Sequence, residues 1–232
     1  MTVSRILAFD TSGPHCAVSL RVGDRVVATR CEEMRKGQAE RLMPMIAERL
    51  SDEGAVLEDF DAIGVGIGPG NFTGIRIAVS AARGLALALG IPAVGVSSFE
   101  VMRGGAGGRQ LVSLNAPRNG TYLQFFDGDA PSGAPVLLVD DEASWEDLAV
   151  PDRATYLIGE AAEKLMLYFG GSEANLYRWD ERRIDWRRGV EAIARIAARR
   201  LASGEAIPRP APLYIRPADA APASDPPLVI LP

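Results

Sequence analysis

Two stretches of this 232-residue chain carry residue types that handle phosphate. The first is Phe9-Asp10-Thr11-Ser12-Gly13, which closes an apolar run over residues 5–9. A carboxylate followed by two hydroxyls in a strand–turn–strand can meet phosphate oxygens with backbone and hydroxyl donors, and can hold a metal through water. The same residues serve equally as a structural turn in which Asp10 caps a hairpin. The second stretch is Gly66-Ile67-Gly68-Pro69-Gly70-Asn71-Phe72-Thr73-Gly74-Ile75-Arg76, between an expected strand and an expected helix. Its glycines let backbone bend and approach closely. Thr73 is placed to cap the helix, whose N-terminus can receive an anion. The glycine spacing is that of neither a Walker loop nor a dinucleotide fingerprint. The single histidine, His15, reads as a local hydrogen-bonder beside a strand start, and no Ser-His-Asp set can be built on it. Cys16 and Cys31 are not spaced as metal ligands and read as buried thiols in a reducing compartment.

The elements that must position these residues follow from periodicity. Residues 5–9, 16–22 and 26–31 read as three strands of an antiparallel meander, with Gly23-Asp24 as a turn. A helix follows over 38–50, with Leu42, Ile46 and Leu50 on one face and Pro44 inside the pattern, where it should distort the helix or mark a late start. Residues 62–67 form a buried-type strand, 73–89 a long helix and 93–96 another strand. The order implies a mixed sheet with right-handed parallel crossovers. Four glycines within residues 103–109 read as a flexible seam. Beyond it come strands over 111–114, 121–126, 136–139 and 155–158, and helices over 143–148 and 161–169. Val190, Ile193, Ala194, Ala197 and Leu201 mark a late amphipathic helix. The second half echoes the first weakly. Three segments are therefore expected: 1–102, 103–207, and a Pro/Ala-rich tail over 208–232 in which Leu213-Tyr214-Ile215 docks.

The formal charge of −5 gives no global basic field, and the arginines at 182, 183, 187, 188, 199 and 200 read as solvated helix faces. No signal peptide or membrane-spanning segment is expected, which implies a cytoplasmic protein. The helix over 73–89 is apolar nearly all round, with only Arg76, Ser80 and Arg83 polar. Such a helix must be buried on most sides. Few other helices stand in the first lobe, so an intermolecular seam is the expectation.

Residues 6–12, 38–46, 66–76, 84–86, 91–98 and 212–216 together resemble the TsaB (YeaZ) family. The Gly-Pro-Gly-x-Phe-Thr-Gly-x-Arg run is the most specific part, and the likeness is dense over the first hundred residues. The resemblance implies an α/β actin-like (ASKHA, ribonuclease H-like) fold with two related lobes. It also implies a non-catalytic scaffold that pairs with TsaD, joined by the ATPase TsaE, to transfer threonylcarbamoyl onto the adenosine 3′ of the anticodon in tRNA. A homodimer is implied for the chain alone, contact with tRNA only through the complex, and no membrane. The implied interface lies on the first two helices: Gln38, Arg41, Leu42, Met45, Ile46, Ile77, Ser80, Ala81, Gly84 and Leu85. The implied degenerate phosphate loops are Asp10, Thr11, Ser12, Gly68, Pro69, Gly70, Thr73, Gly74 and Arg76. No metal or cofactor is expected for the isolated chain, with room for a nucleotide at the seam with TsaD. The TsaD metal run His-x-x-x-His falls here on Ser98 to Met102 without either ligand, and Asn115-Ala116-Pro117-Arg118 lacks the carboxylate the family often has. The competing readings are an active actin-like ATPase or kinase using Asp10, and a metallopeptidase.

Overall fold

The computed structural model describes residues 3–139, 154–173 and 177–215. The first lobe holds β1 (Arg5–Asp10), β2 (His15–Val22), β3 (Arg25–Glu33), α1 (Gln38–Asp52), β4 (Ala62–Gly66), α2 (Phe72–Leu89), β5 (Ala93–Val96) and α3 (Ser98–Arg103). The second holds β6 (Arg109–Ala116), β7 (Gly120–Asp127), β8 (Ala130–Val139), β9 (Thr155–Gly159), α4 (Ala162–Glu173) and β10 (Tyr177–Asp180), and α5 (Trp186–Ala202) follows. The first sheet runs β3-β2-β1-β4-β5 and the second β8-β7-β6-β9-β10. Each is an antiparallel meander whose first strand also pairs in parallel with the next strand along the chain. The two lobes therefore repeat one topology, which the sequence shows only as a weak echo. The fold class is α/β, two mixed sheets flanked by helices.

The first sheet is covered on both faces, as the alternation along β1 requires. Leu7 and Phe9 face α1 and α2. Ile6 and Ala8 face the other way, towards Val190, Ile193, Ala194 and Ala197 of α5. Small residues on that face, Ala8, Ala17, Ala62 and Gly64, let α5 approach so closely that a Cβ at Gly64 would sit 3.1 Å from Ile193 and 3.2 Å from Ala197. The packing therefore places α5 with the first lobe, although in sequence it lies inside the 103–207 segment. Without α5, the whole Ile6/Ala8 face of the sheet would be open to water.

Several local expectations change. Pro44 lies inside α1 without ending it. It sits on the exposed side, where the carbonyl it leaves unpaired can meet water. The cap of α2 is Asn71 and not Thr73: the Asn71 side chain accepts a hydrogen bond from the Gly74 N–H at 2.8 Å. The helix α3 carries a capping box, with Glu100 Oε2 accepting from the Ser97 N–H and Ser97 Oγ accepting from the Glu100 N–H. The glycine seam is built around Arg103, which is 4% exposed. Its guanidinium donates to Gln110 Oε1 (3.0 Å), Asp129 Oδ1 (2.6 Å), Ala106 O (2.8 Å) and Gly128 O (2.7 Å). Asp129 answers with a carboxyl held below its ordinary range, chiefly by that hydrogen bond. The strands β8 and β10 are longer than, or absent from, the sequence expectation. The acidic helix expected over 143–148 lies outside the described residues.

Residues 208–215 form a strap that returns over the first lobe. The Leu213 N–H donates to Ile67 O (2.9 Å), Arg83 to Pro210 O (2.7 Å) and Arg76 to Tyr214 Oη (2.7 Å). Leu213 and Ile215 also pack on a cluster that joins Phe99 of α3 to Leu114 and Ile158 of the second lobe, so the strap bridges both lobes. Arg216 lies outside the described residues.

Candidate functional site

The two phosphate-type stretches meet each other in space, and they do so closely. The Thr11 hydroxyl donates to Gly74 O at 2.6 Å, and the Asn71 N–H donates to Ser12 O at 2.6 Å. A Cβ at Gly66 would fall within 3.0 Å of the Asp10 carboxylate, one at Gly70 within 3.0 Å of Ser12 O, and one at Gly74 within 3.0 Å of Thr11 O. Those three glycines are thus required by close approach of one loop to the other. Asp10 is 3% exposed. It accepts from the Ser12 N–H (2.8 Å) and the Ser12 hydroxyl (3.0 Å), and His15 Nε2 stands 3.3 Å from its Oδ2. His15 is fully buried and stacks on Trp186 of α5, with ring centroids 4.3 Å apart. The local partner expected of it is Asp10, approached at 3.3 Å without hydrogen-bond geometry, and among the described residues neither ring nitrogen has a hydrogen-bond partner. The polar atoms of Asp10, Thr11 and Ser12 are therefore spent on the protein itself. Gly68 and Pro69, joined by a cis peptide, hold α3: the Ser98 N–H donates to Gly68 O and the Ser98 hydroxyl to Pro69 O. Thr73 and Arg76 are exposed, and Arg76 lies 3.7 Å over the Phe72 ring beside Tyr214.

The residues expected at an interface divide into two groups. Leu42, Met45 and Ile46 are at most 1% exposed, inside the first-lobe core, and Gln38 is buried, donating to Met34 O. These four serve the fold. Arg41 is tied into an ion-pair triad, with Nε and Nη2 on the two oxygens of Glu32 (2.7 and 2.8 Å) and Nη1 on Glu48 (2.6 Å). The hydrogen bond from Arg41 lowers the Glu32 carboxyl to about 2 and also lowers Glu48. On α2 the expected residues do look outward: Ser80 and Gly84 are exposed, and Ile77, Ala81 and Leu85 half-buried. Leu87, 83% exposed, extends this face, and Met43 and Ala47 of α1 are exposed as well. The sequence pattern does not single out Met43 and Ala47, because the stronger apolar stripe of the same helix dominates it. By length and composition alone, the 18 residues of α2 could cross a membrane. Here its Ile75, Ala78, Val79 and Ala82 face is packed on the sheet.

Between the lobes lies a cleft of about 700 Å³. The loops at 12–14 and 69–71 form its first-lobe wall. The end of β6, Glu160, Arg183, Ile184 and Trp186 form the other. At the end of β6 the Asn115 backbone N–H donates to Glu160 Oε2 at 2.7 Å. Among the described residues, no group of three or more His, Cys, Asp or Glu side chains is arranged to hold a metal.

Residues 30–110 match the family described as "TsaD: tRNA N6-adenosine threonylcarbamoyltransferase". The chain is 40% identical to the Escherichia coli tRNA threonylcarbamoyladenosine biosynthesis protein TsaB over 130 residues, 54% of this chain and 56% of that protein. It is 38% identical to Bacillus subtilis TsaB over 112 residues, 48% of each chain. A solved Pseudomonas aeruginosa protein, described as similar to peptidase YEAZ, superposes with a TM-score of 0.67 at 27% identity, covering 92% of this chain and all of that one. The chain belongs to the TsaB (YeaZ) family. In sequence it spans about half the length of the TsaB proteins it matches. The YeaZ-type superposition extends over both lobes.

Proposed function

We propose that this chain acts in threonylcarbamoyladenosine synthesis as a scaffold with no reactive centre of its own, binding TsaD through the outward face of α2 and the exposed edge of α1. Alone it pairs with a second copy through the same face. TsaE joins the pair, tRNA is reached through the complex, and the setting is cytoplasmic and membrane-free. The names of the TsaB relatives support the pathway. One observation carries the scaffold role: an apolar and small-residue face, with Leu87 83% exposed and open space where a Gly84 Cβ would stand, on a helix whose other face is already in the core. Small residues there let a partner helix approach closely, and a seam of roughly 1,600 Å² in total would cover the face. The ATPase reading is disfavoured by Asp10, whose carboxylate is nearly closed off and already satisfied by Ser12.

Gly84→Arg tests the proposal. The site has room for the side chain in the free chain, so folding should be unchanged. At a helix–helix seam it should weaken pairing by about 100-fold or more through overpacking and a buried charge. The readouts are co-purification with TsaD and formation of modified adenosine by TsaD, TsaE and this chain. A folded Gly84→Arg chain that still binds TsaD and supports the reaction would refute the assigned face.

A further inference from the structure

The inter-lobe cleft is a feature that the scaffold role leaves unused. Its volume of about 700 Å³ falls in the range of small-molecule sites. Its floor is apolar and aromatic, with Tyr122, Ile184 and Trp186. The Trp186 ring is braced from within by its stack on His15. At the rim stand two arginines, Arg35 from the first lobe and Arg183 from the second. Both are exposed, and among the described residues neither has an ion pair or hydrogen bond. The one carboxylate on the lining, Glu160, already accepts the Asn115 N–H. The start of α2 at Asn71 borders the same space, adding the positive end of a helix.

We infer that this cleft binds a small phosphomonoester carried on a planar ring, the ring lying on the Trp186–Tyr122 floor and the phosphate between Arg35 and Arg183. Two guanidiniums match the charge of a phosphomonoester, about −1.5 to −2 at neutral pH, better than that of a single carboxylate. The site differs from a metal–triphosphate cradle. The loops that could receive further phosphates are closed on each other through Thr11–Gly74 and Asn71–Ser12. Affinity therefore comes from the ring and one phosphate, and a longer phosphate chain adds nothing.

Isothermal titration of the isolated full chain tests this, with adenosine monophosphate as probe and adenosine, inorganic phosphate and magnesium–ATP as comparators. Adenosine and phosphate should each bind roughly tenfold or more weakly than the monophosphate, and magnesium–ATP should bind no tighter than it. Arg35→Glu and Arg183→Glu, both at exposed side chains, should each weaken monophosphate binding by about tenfold or more while the circular dichroism spectrum stays unchanged. No heat with the monophosphate at millimolar concentration, binding insensitive to either substitution, or magnesium–ATP binding markedly tighter would each overturn the inference. The measurement uses no TsaD, so its outcome is separate from that of the pairing experiment.

Discussion

Gly74 and Gly84 lie ten residues apart on α2, and the structure gives opposite signs to replacing each with alanine. In an ordinary helix interior, alanine is favoured over glycine by about 0.5–1 kcal/mol because it restricts the unfolded chain. At Gly84 a Cβ meets nothing within 4 Å, so the full gain should appear. At Gly74 the Cβ would fall within 3.0 Å of the Thr11 carbonyl oxygen, which is backbone and belongs to the loop bearing Asp10 and Ser12. Relieving that overlap means moving the loop, at about 1–3 kcal/mol for overpacking. It also means losing the Thr11–Gly74 hydrogen bond, worth about 1 kcal/mol. Against the helix gain, the net for Gly74→Ala is a loss of about 2–3 kcal/mol. At about 2–4 °C per kcal/mol for a chain of this size, the melting midpoint of the unpaired chain should fall by about 4–12 °C, while Gly84→Ala should raise it by about 1–4 °C. Thermal and urea unfolding followed by circular dichroism reads both. A Gly74→Ala chain as stable as the parent would show that the two loops do not lock as described, and the closed phosphate cradle would fall with them.

Two further outcomes follow from the charged ties. Arg103→Met removes four hydrogen bonds from a buried guanidinium and should cost about 2–4 kcal/mol, with faster proteolytic cleavage within residues 104–108. An unchanged cleavage rate would mean the glycines hold the seam without it. The Glu32–Arg41 pair joins β3 to α1, and the folded state depresses Glu32 from 4.5 to about 2. Because the folded value is lowered, this stability is fully present above pH 4.5 and is lost as pH falls towards 2. The Glu32 side chain is 25% exposed, which trims the contribution to about 1–2 kcal/mol. Urea midpoints of the parent and Arg41→Met should therefore differ most at pH 5–7 and converge on acidification, and a constant gap down to pH 3 would contradict the assignment.

The path from sequence to site was uneven for physical reasons. The strands of the first meander, the parallel crossovers and the glycine-rich turn were legible because alternation and glycine placement are local signals. The cap of α2 was misplaced by two residues because Asn71 and Thr73 are equally good capping types, and only the backbone turn chooses between them. No local signal says which sheet α5 covers. Its stripe shows one buried face, while the small residues that receive it, Ala8, Ala17, Ala62 and Gly64, lie more than a hundred residues earlier. The α1 assignment teaches the most. Leu42, Met45 and Ile46 are the strongest stripe on that helix, and the sheet on the same chain takes it, because intramolecular packing is available at any concentration. The apolar residues left exposed include Met43 and Ala47 on α1 and Leu87 on α2, with Ile77 and Ala81 half-buried. A docking face on a helix that also packs a sheet should therefore be sought among the apolar residues left after the best stripe is removed. On α1 that rule selects Met43 and Ala47, and on α2 Leu87.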